Sequence, residues 1–259
     1  MAVQKSVDRL SGKIALITGG SRGIGAAITR RLAGEGAAVA INYRSDAAAA
    51  EALVKEIVGN GGRAVAFQAD VSDHSESKSL VDDVVAEFGA LHLLASNAGI
   101  EHFGALQSIT LADFDRVYHT NVAGQLFVTQ AAVAAMTEGG RIVLTSSISA
   151  RIAVRHHSLY GPSKAAINSL VLNLAPELAA VGIAINAIAP GGTATDMAVE
   201  NAKHYGQPAE DVGSIRMDMV NSLGRLAEPA EIAAAVAFLL SEDASYLTGS
   251  VLDASGGWM

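Results

Sequence analysis

Thr18-Gly19-Gly20-Ser21-Arg22-Gly23-Ile24-Gly25 has the residue types and spacing to hold a phosphate anion. A pyrophosphate needs backbone N–H groups within reach and no Cβ in the way, and a helix N-terminus adds partial positive charge. Gly19, Gly23 and Gly25 meet that need, with Ser21, Arg22 and Ile24 in the same turn. The spacing is GxxxGxG, not GxGxxG, so the general dinucleotide fingerprint applies by analogy. Downstream, Tyr160 and Lys164 stand four residues apart, which puts a phenol and an ammonium on one helical face. Such a short pattern arises by chance in roughly one chain of this kind in eight, so it gains weight only from its companions.

Asn42-Tyr43-Arg44-Ser45 follows the second strand-like run, about 20 residues after the glycine turn. An NAD site places an acid there to bond the ribose 2′-OH, but here no acid comes before Asp46. A carboxylate repels a 2′-phosphate, whereas an arginine fork holds it, so Arg44 and Arg22 predict NADPH/NADP. Tyr43 and Ser45 flank that contact. Asp70-Val71 ends the third run, where an aspartate can bond an adenine amino group, and Asn97-Ala98-Gly99 ends the fourth. All lie at the carboxyl ends of strands, where ligands bind in open α/β sheets.

The elements that must position these groups are legible as alternation. Strands are predicted at 13–18, 37–43, 63–70, 90–97, 140–147, 182–190 and 250–255, with helices from about 24 to 33, 46 to 58, 122 to 136 and 164 to 181. Glycines at 36, 61, 62, 89 and 182 sit where helices stop. With no linker or repeat, the expectation over 1–259 is α/β: a single Rossmann-type doubly wound domain with a seven-stranded parallel sheet. The 122–136 and 164–181 helices are apolar almost all round, which implies burial within the domain or at a subunit interface. Pro176 should kink the second or weaken a turn. Pro162 fits only if it falls in that helix's first turn.

Composition narrows the class. Half the 259 residues are hydrophobic, enough for a sizeable core, yet no apolar run reaches the roughly 18 residues of a membrane span. The start, MAVQKSVDRLSG, has no apolar stretch of a secretion signal. There are no cysteines, hence no disulfide or thiol chemistry, and no metal is expected. A net charge of −8 argues against nucleic acid as partner, and the cytoplasm is the expected location.

Taken together, TGGSRGIG, the Asp-Val at 70–71, SNAG, the asparagine of HTNVAG, TSS, YGPSK and PGGTATDM resemble the short-chain dehydrogenase/reductase family over essentially the whole chain. The resemblance implies catalytic roles for Asn121, Ser147, Tyr160 and Lys164. Hydride delivery to a ketone leaves an alkoxide that must be protonated, and Tyr160 is the donor. Free tyrosine has a pKa near 10, which Lys164 should lower. Ser147 gives a second hydrogen bond to the developing oxyanion, and Asn121 bends its helix and holds a water that passes protons to the lysine. Tyr160 and Lys164 also meet the nicotinamide half of the cofactor, with Pro190, Gly191, Thr193 and Thr195. Thr193 replaces a common aliphatic whose backbone does the bonding, and Ser96 departs from the more frequent asparagine.

Substrate selection should lie in a lid at about 197–226. Ser147, Ser149, Tyr160, Gly192, Met197 and Tyr205 are the expected substrate contacts. Tyr205, Met217 and Met219 either line an apolar pocket or pack the lid. Within the family the chain is most similar to polyhydroxynaphthalene reductases and polyketide ketoreductases, through SNAGIEHFG, FDRVYHTNVAGQ and the GGWM terminus. That implies an NADPH-dependent reductase of an aromatic, cyclic or polyketide-like ketone, assembled as a homotetramer in which Trp258 and Met259 reach a neighbour's site. His156 and His157 either touch substrate or lie on the surface. A 3-oxoacyl-carrier-protein reductase would use Arg151 and Arg155 to dock an acidic carrier. A non-catalytic dinucleotide sensor would not need all four catalytic positions.

Overall fold

The computed structural model describes residues 8–205 and 221–257. Strands β1 (Ile14–Thr18), β2 (Ala38–Tyr43), β3 (Ala64–Gln68), β4 (Leu93–Ser96), β5 (Arg141–Thr145), β6 (Ala184–Pro190) and β7 (Val251–Ala254) form one sheet. Its order is β3-β2-β1-β4-β5-β6-β7, every pair parallel. The chain winds outward from β1 to β3, then returns to lay β4 on β1's other side. The crevice left at that reversal, above the carboxyl ends of the strands, is where such sheets bind ligands. The helices among the described residues are α1 (Gly23–Gly34), α2 (Ala47–Gly59), α3 (His74–Phe88), α4 (Leu111–Tyr118), α5 (Gly124–Ala135), α6 (Tyr160–Ala179), α7 (Asp196–Tyr205) and α8 (Pro229–Leu240).

Both faces of the sheet are covered, which is why its central strands read as continuous apolar runs and do not alternate. Leu80 and Val84 of α3, Val128 of α5, and Ile167 and Val171 of α6 fill one face. Ile28 and Leu32 of α1, Leu53 of α2, and Ile232 and Val236 of α8 fill the other. Each such side chain removed from water stabilises the fold by about 1.5–3 kcal/mol before entropy is counted. No described helix is long and apolar enough to cross a membrane.

The seven strands fall where the alternation placed them, shortened at their ends, because pairing and not composition stops a ladder. Three helices that a hydrophobic-period reading passed over carry capping signals. Asp73 accepts from the N–H groups of Ser75 and Glu76 ahead of α3, Thr110 and Asp113 form a capping box on α4, and Glu228 and Glu231 form one on α8. The helix expected from 122 is the second half of a longer one, joined to α4 through a π turn at His119–Ala123. The helix expected from 164 starts at Tyr160, which puts Pro162 in its first turn. It runs on past Pro176 to Ala179. That proline lies on the exposed face of α6.

Candidate active site

The glycine turn joins β1 to α1 through close packing that side chains would forbid. Gly19 and Gly23 have φ of 57° and 53°, the left-handed region. A Cβ on Gly25 would overlap the Gly19 carbonyl oxygen, and one on Gly19 would sit 3.1 Å from Ala98 Cα. The turn is braced from below. Thr29 Oγ1 donates to the Gly20 and Gly25 carbonyls at 3.1 and 2.9 Å. Buried Asn42 accepts from Gly19 N–H through Oδ1 at 3.2 Å and donates to Ala69 O at 3.0 Å. Thr18 Oγ1 accepts from the N–H groups of Asn97 and Ala98 at 3.0 and 3.1 Å, which docks the fourth-strand turn against the first. Thr18 and Asn42 open two of the motifs, but these bracing roles are not legible in sequence because their partners are far along the chain.

This surface fits a nicotinamide dinucleotide. Gly19 and Gly23 turn the backbone left-handed at the start of α1, where helix N–H groups can meet a phosphate, and Arg22 is that helix's exposed N-cap. Arg44 is largely exposed beyond β2, with Nη1 3.9 Å from Asp70 Oδ2. Asp70 uses its other oxygen on Ser72, from N–H at 2.9 Å and Oγ at 2.6 Å. Thr195 caps the start of α7, accepting from Ala198 N–H at 3.3 Å, and its methyl lies 3.5 Å from where a Gly23 Cβ would stand. The Thr193–Thr195 turn thus closes over the glycine turn. Thr193 Oγ1 donates to Gly191 O, and Gly191 packs so tightly on Ser255 that a Cβ would approach its Cα to 2.8 Å.

Four further side chains converge where β4, β5 and α6 meet. Asn121 sits in the π turn, buried, accepting from Ile100 N–H at 2.8 Å and donating to Ile100 O at 2.9 Å and Ser163 Oγ at 3.1 Å. The turn is held by Gln125, which donates to Asn121 O and Thr145 O and accepts from Thr145 N–H. Lys164 is buried and donates to Thr145 O at 2.9 Å. A Cβ on Gly99 would lie 3.2 Å from both Lys164 Nζ and Asn121 Oδ1, so only glycine leaves that corner open. Ser147, just past β5, hydrogen-bonds the Tyr160 phenol and accepts from Ser149 N–H at 3.1 Å.

The expected effect of the lysine on the tyrosine is corrected here. Burial first, then the nearby Glu101 carboxylate, push the Tyr160 phenol well above the usual tyrosine value, outweighing the Ser147 hydrogen bond. Lys164 Nζ stands 5.7 Å from the ring centre and spends its hydrogen bond on Thr145, while burial brings its own pKa down to about 8.

Of the two histidines singled out in the sequence, His157 is buried and not on the surface, and the cluster it joins beside Tyr160 was not foreseen. His157 Nε2 lies 3.2 Å from Glu101 Oε1, both side chains under a tenth exposed. The His157 ring packs on Phe103 at 4.3 Å and edge-on to Tyr160 at 5.0 Å, and His204 of α7 stacks on Phe103 at 4.6 Å. His156, by contrast, is exposed, with a φ of 67°. Met197 is on the exposed side of α7, at 38 %. Tyr205 closes α7, and its side chain, with Met217, Met219, Trp258 and Met259, lies outside the described residues.

A doubly wound sheet with this turn and this cluster defines a class, and comparison with known proteins names it. The family model described as Enoyl-(Acyl carrier protein) reductase matches residues 19–259. A probable tetrahydroxynaphthalene reductase of Zymoseptoria tritici is 40% identical over 99% of this chain and 98% of its own. A short chain dehydrogenase from Burkholderia cenocepacia J2315, solved in complex with NADP, is 40% identical with a TM-score of 0.88, covering 96% of this chain and 98% of that one. The landomycin C-6 ketoreductase LanV, solved with NADP and rabelomycin, is 35% identical with a TM-score of 0.85, over 96% and 97% of the two chains. The chain belongs to the short-chain dehydrogenase/reductase family.

Proposed function

We propose that this protein is an NADPH-dependent ketoreductase acting on an aromatic, cyclic or polyketide-like ketone. The observation that carries the reading is the placing of Ser147, Tyr160 and Lys164 beside the glycine turn, at the carboxyl ends of one parallel sheet. Gly19, Ser21, Arg22, Gly23 and Ile24 would hold the pyrophosphate half of the cofactor. Tyr43, Arg44 and Ser45 would hold the 2′-phosphate, Asp70 and Val71 the adenine, and Asn97, Ala98, Gly99, Pro190, Gly191, Thr193 and Thr195 the remainder. When bound, NADPH supplies a hydride to the carbonyl carbon. Tyr160 gives its proton to the carbonyl oxygen as the C–O double bond opens, and Ser147 donates a hydrogen bond to the same oxygen. Tyr160 is protonated through neutral pH, the state a reductase needs. Lys164 and Asn121 stand behind it to return a proton.

The substrate class rests on shape as well as kinship. Phe103, His157 and His204 form an aromatic cluster that reaches Tyr160 through the His157 ring, surroundings that suit a planar ring. Relatives named as tetrahydroxynaphthalene reductase and landomycin C-6 ketoreductase point the same way. Carrier-protein docking is less favoured, because Arg151 is paired with Asp253 at 2.5 Å. NADPH oxidation is expected to be fastest on tetralone- and decalone-like ketones. Tyr205→Ala should raise their KM up to about tenfold, and that of a small aliphatic ketone less. Much faster reduction of acetoacetyl thioesters would overturn the substrate assignment.

We infer a cytoplasmic homotetramer. Leu111 and Phe114 on α4 and Leu172 on α6, a helix that touches α4, are exposed at 75, 42 and 65 %, large apolar side chains that call for cover. Light scattering at micromolar concentration should give four times the 26.4 kDa chain mass. A monomeric mass would refute the assembly.

A further inference from the structure

Glu101 is a buried carboxylate tied to three parts of the chain. Its own segment follows β4; Oε1 faces His157 ahead of α6 at 3.2 Å, and Oε2 accepts from Asn201 Nδ2 of α7 at 2.8 Å. A carboxylate is rarely taken out of water unless its charge is used or paired, and this one is held behind the ring that contacts Tyr160. The titratable groups beside it are His157, Tyr160 and Lys164 from the α6 segment, while His204 of α7 stacks on Phe103, two residues along from Glu101. His102, next in sequence, turns instead to Asp113 of α4, at 3.6 Å, which also pairs with Arg116.

We propose that Glu101, fixed by His157 and Asn201, is a positioning residue whose negative charge keeps the proton on Tyr160 and Lys164 and so sets the pH range of the reaction. It rests on the assignment of Tyr160 as proton donor. The sign is fixed by electrostatics: a negative charge disfavours phenolate and favours ammonium, so it raises both pKa values. Glu101 thus raises both groups, against burial at Lys164 and with it at Tyr160. Two roles follow from one charge. Reduction extends further into the alkaline range, and alcohol oxidation, which needs Tyr160 deprotonated, is held back at neutral pH.

The test compares wild type with Glu101→Gln, which keeps size and polarity but removes the charge, and with Glu101→Asp, which draws the charge back by one methylene. Lys164 is titrated by NMR at its Cε in the protein without cofactor, and kcat for reduction is followed against pH. In Glu101→Gln the Lys164 midpoint should fall from about 8 by roughly half to one pH unit, and the alkaline limb of kcat should move down in step. At a pH on that limb the rate drops about 3–10-fold. Glu101→Asp should lie between, and it decides the matter if the glutamine variant does not fold. A folded variant with lowered melting temperature but unmoved Lys164 midpoint would show a structural role only and overturn the proposal. Because the titration needs no turnover, failure to reduce any carbonyl would fall on the proposed function and leave this result separate.

Discussion

Tyr160→Phe is expected to lower kcat for carbonyl reduction by about 10²–10⁴-fold while leaving the NADPH Kd within a few-fold of wild type. The substitution removes one hydroxyl from a ring whose packing comes mainly from His157 and the start of α6, so the fold should be indifferent to it. It takes away the hydroxyl proposed to protonate the carbonyl oxygen and leaves the Ser147 hydrogen bond in place. Stopped-flow reduction and fluorescence titration with NADPH separate the two effects. Activity within tenfold of wild type would move the proton donor to another group. A parallel loss of cofactor affinity would show that the phenol shapes the binding site more than the reaction.

Arg44→Asp should reverse cofactor preference. Wild type is expected to favour NADPH over NADH by about a hundredfold in kcat/KM, since charge-assisted contacts from Arg44 and Arg22 are worth roughly 1.5–3 kcal/mol each. Arg44 is largely exposed, and its 3.9 Å approach to Asp70 is too loose to compete with a phosphate. An aspartate there repels the 2′-phosphate and can accept from a ribose 2′-OH, so NADPH should lose about 10–100-fold and NADH should gain. Steady-state kinetics with both cofactors reads the change. Equal preference in the variant and the wild type would remove Arg44 from the 2′-phosphate site.

The sequence by itself determined the sheet and the phosphate turn, while the four positions assigned to catalysis were implied by a family resemblance. Local chemistry is enough for the first two. Strands buried on both faces must be apolar throughout, as IALIT is, and a turn into a helix N-terminus that passes under another backbone admits only glycine at Gly19 and Gly25. The spacing of Tyr160 and Lys164 needs nothing beyond the helical repeat. Capping boxes at Thr110 and Glu228 were equally local and could have been read.

Tertiary structure decided the electrostatics. Glu101, His157 and Asn201 come from three segments of the chain, and no periodicity joins them; strand order and the placing of α7 do. The same is true of Arg151 against Asp253, which a sequence shows only as two separate charges. Lys164 was expected to act on Tyr160 because they share a helical face. Instead the sheet offers the Thr145 carbonyl at 2.9 Å, and burial governs the phenol. A pKa depends on every charge and every lost water around a group, and those are fixed only when distant parts of the chain have closed over it.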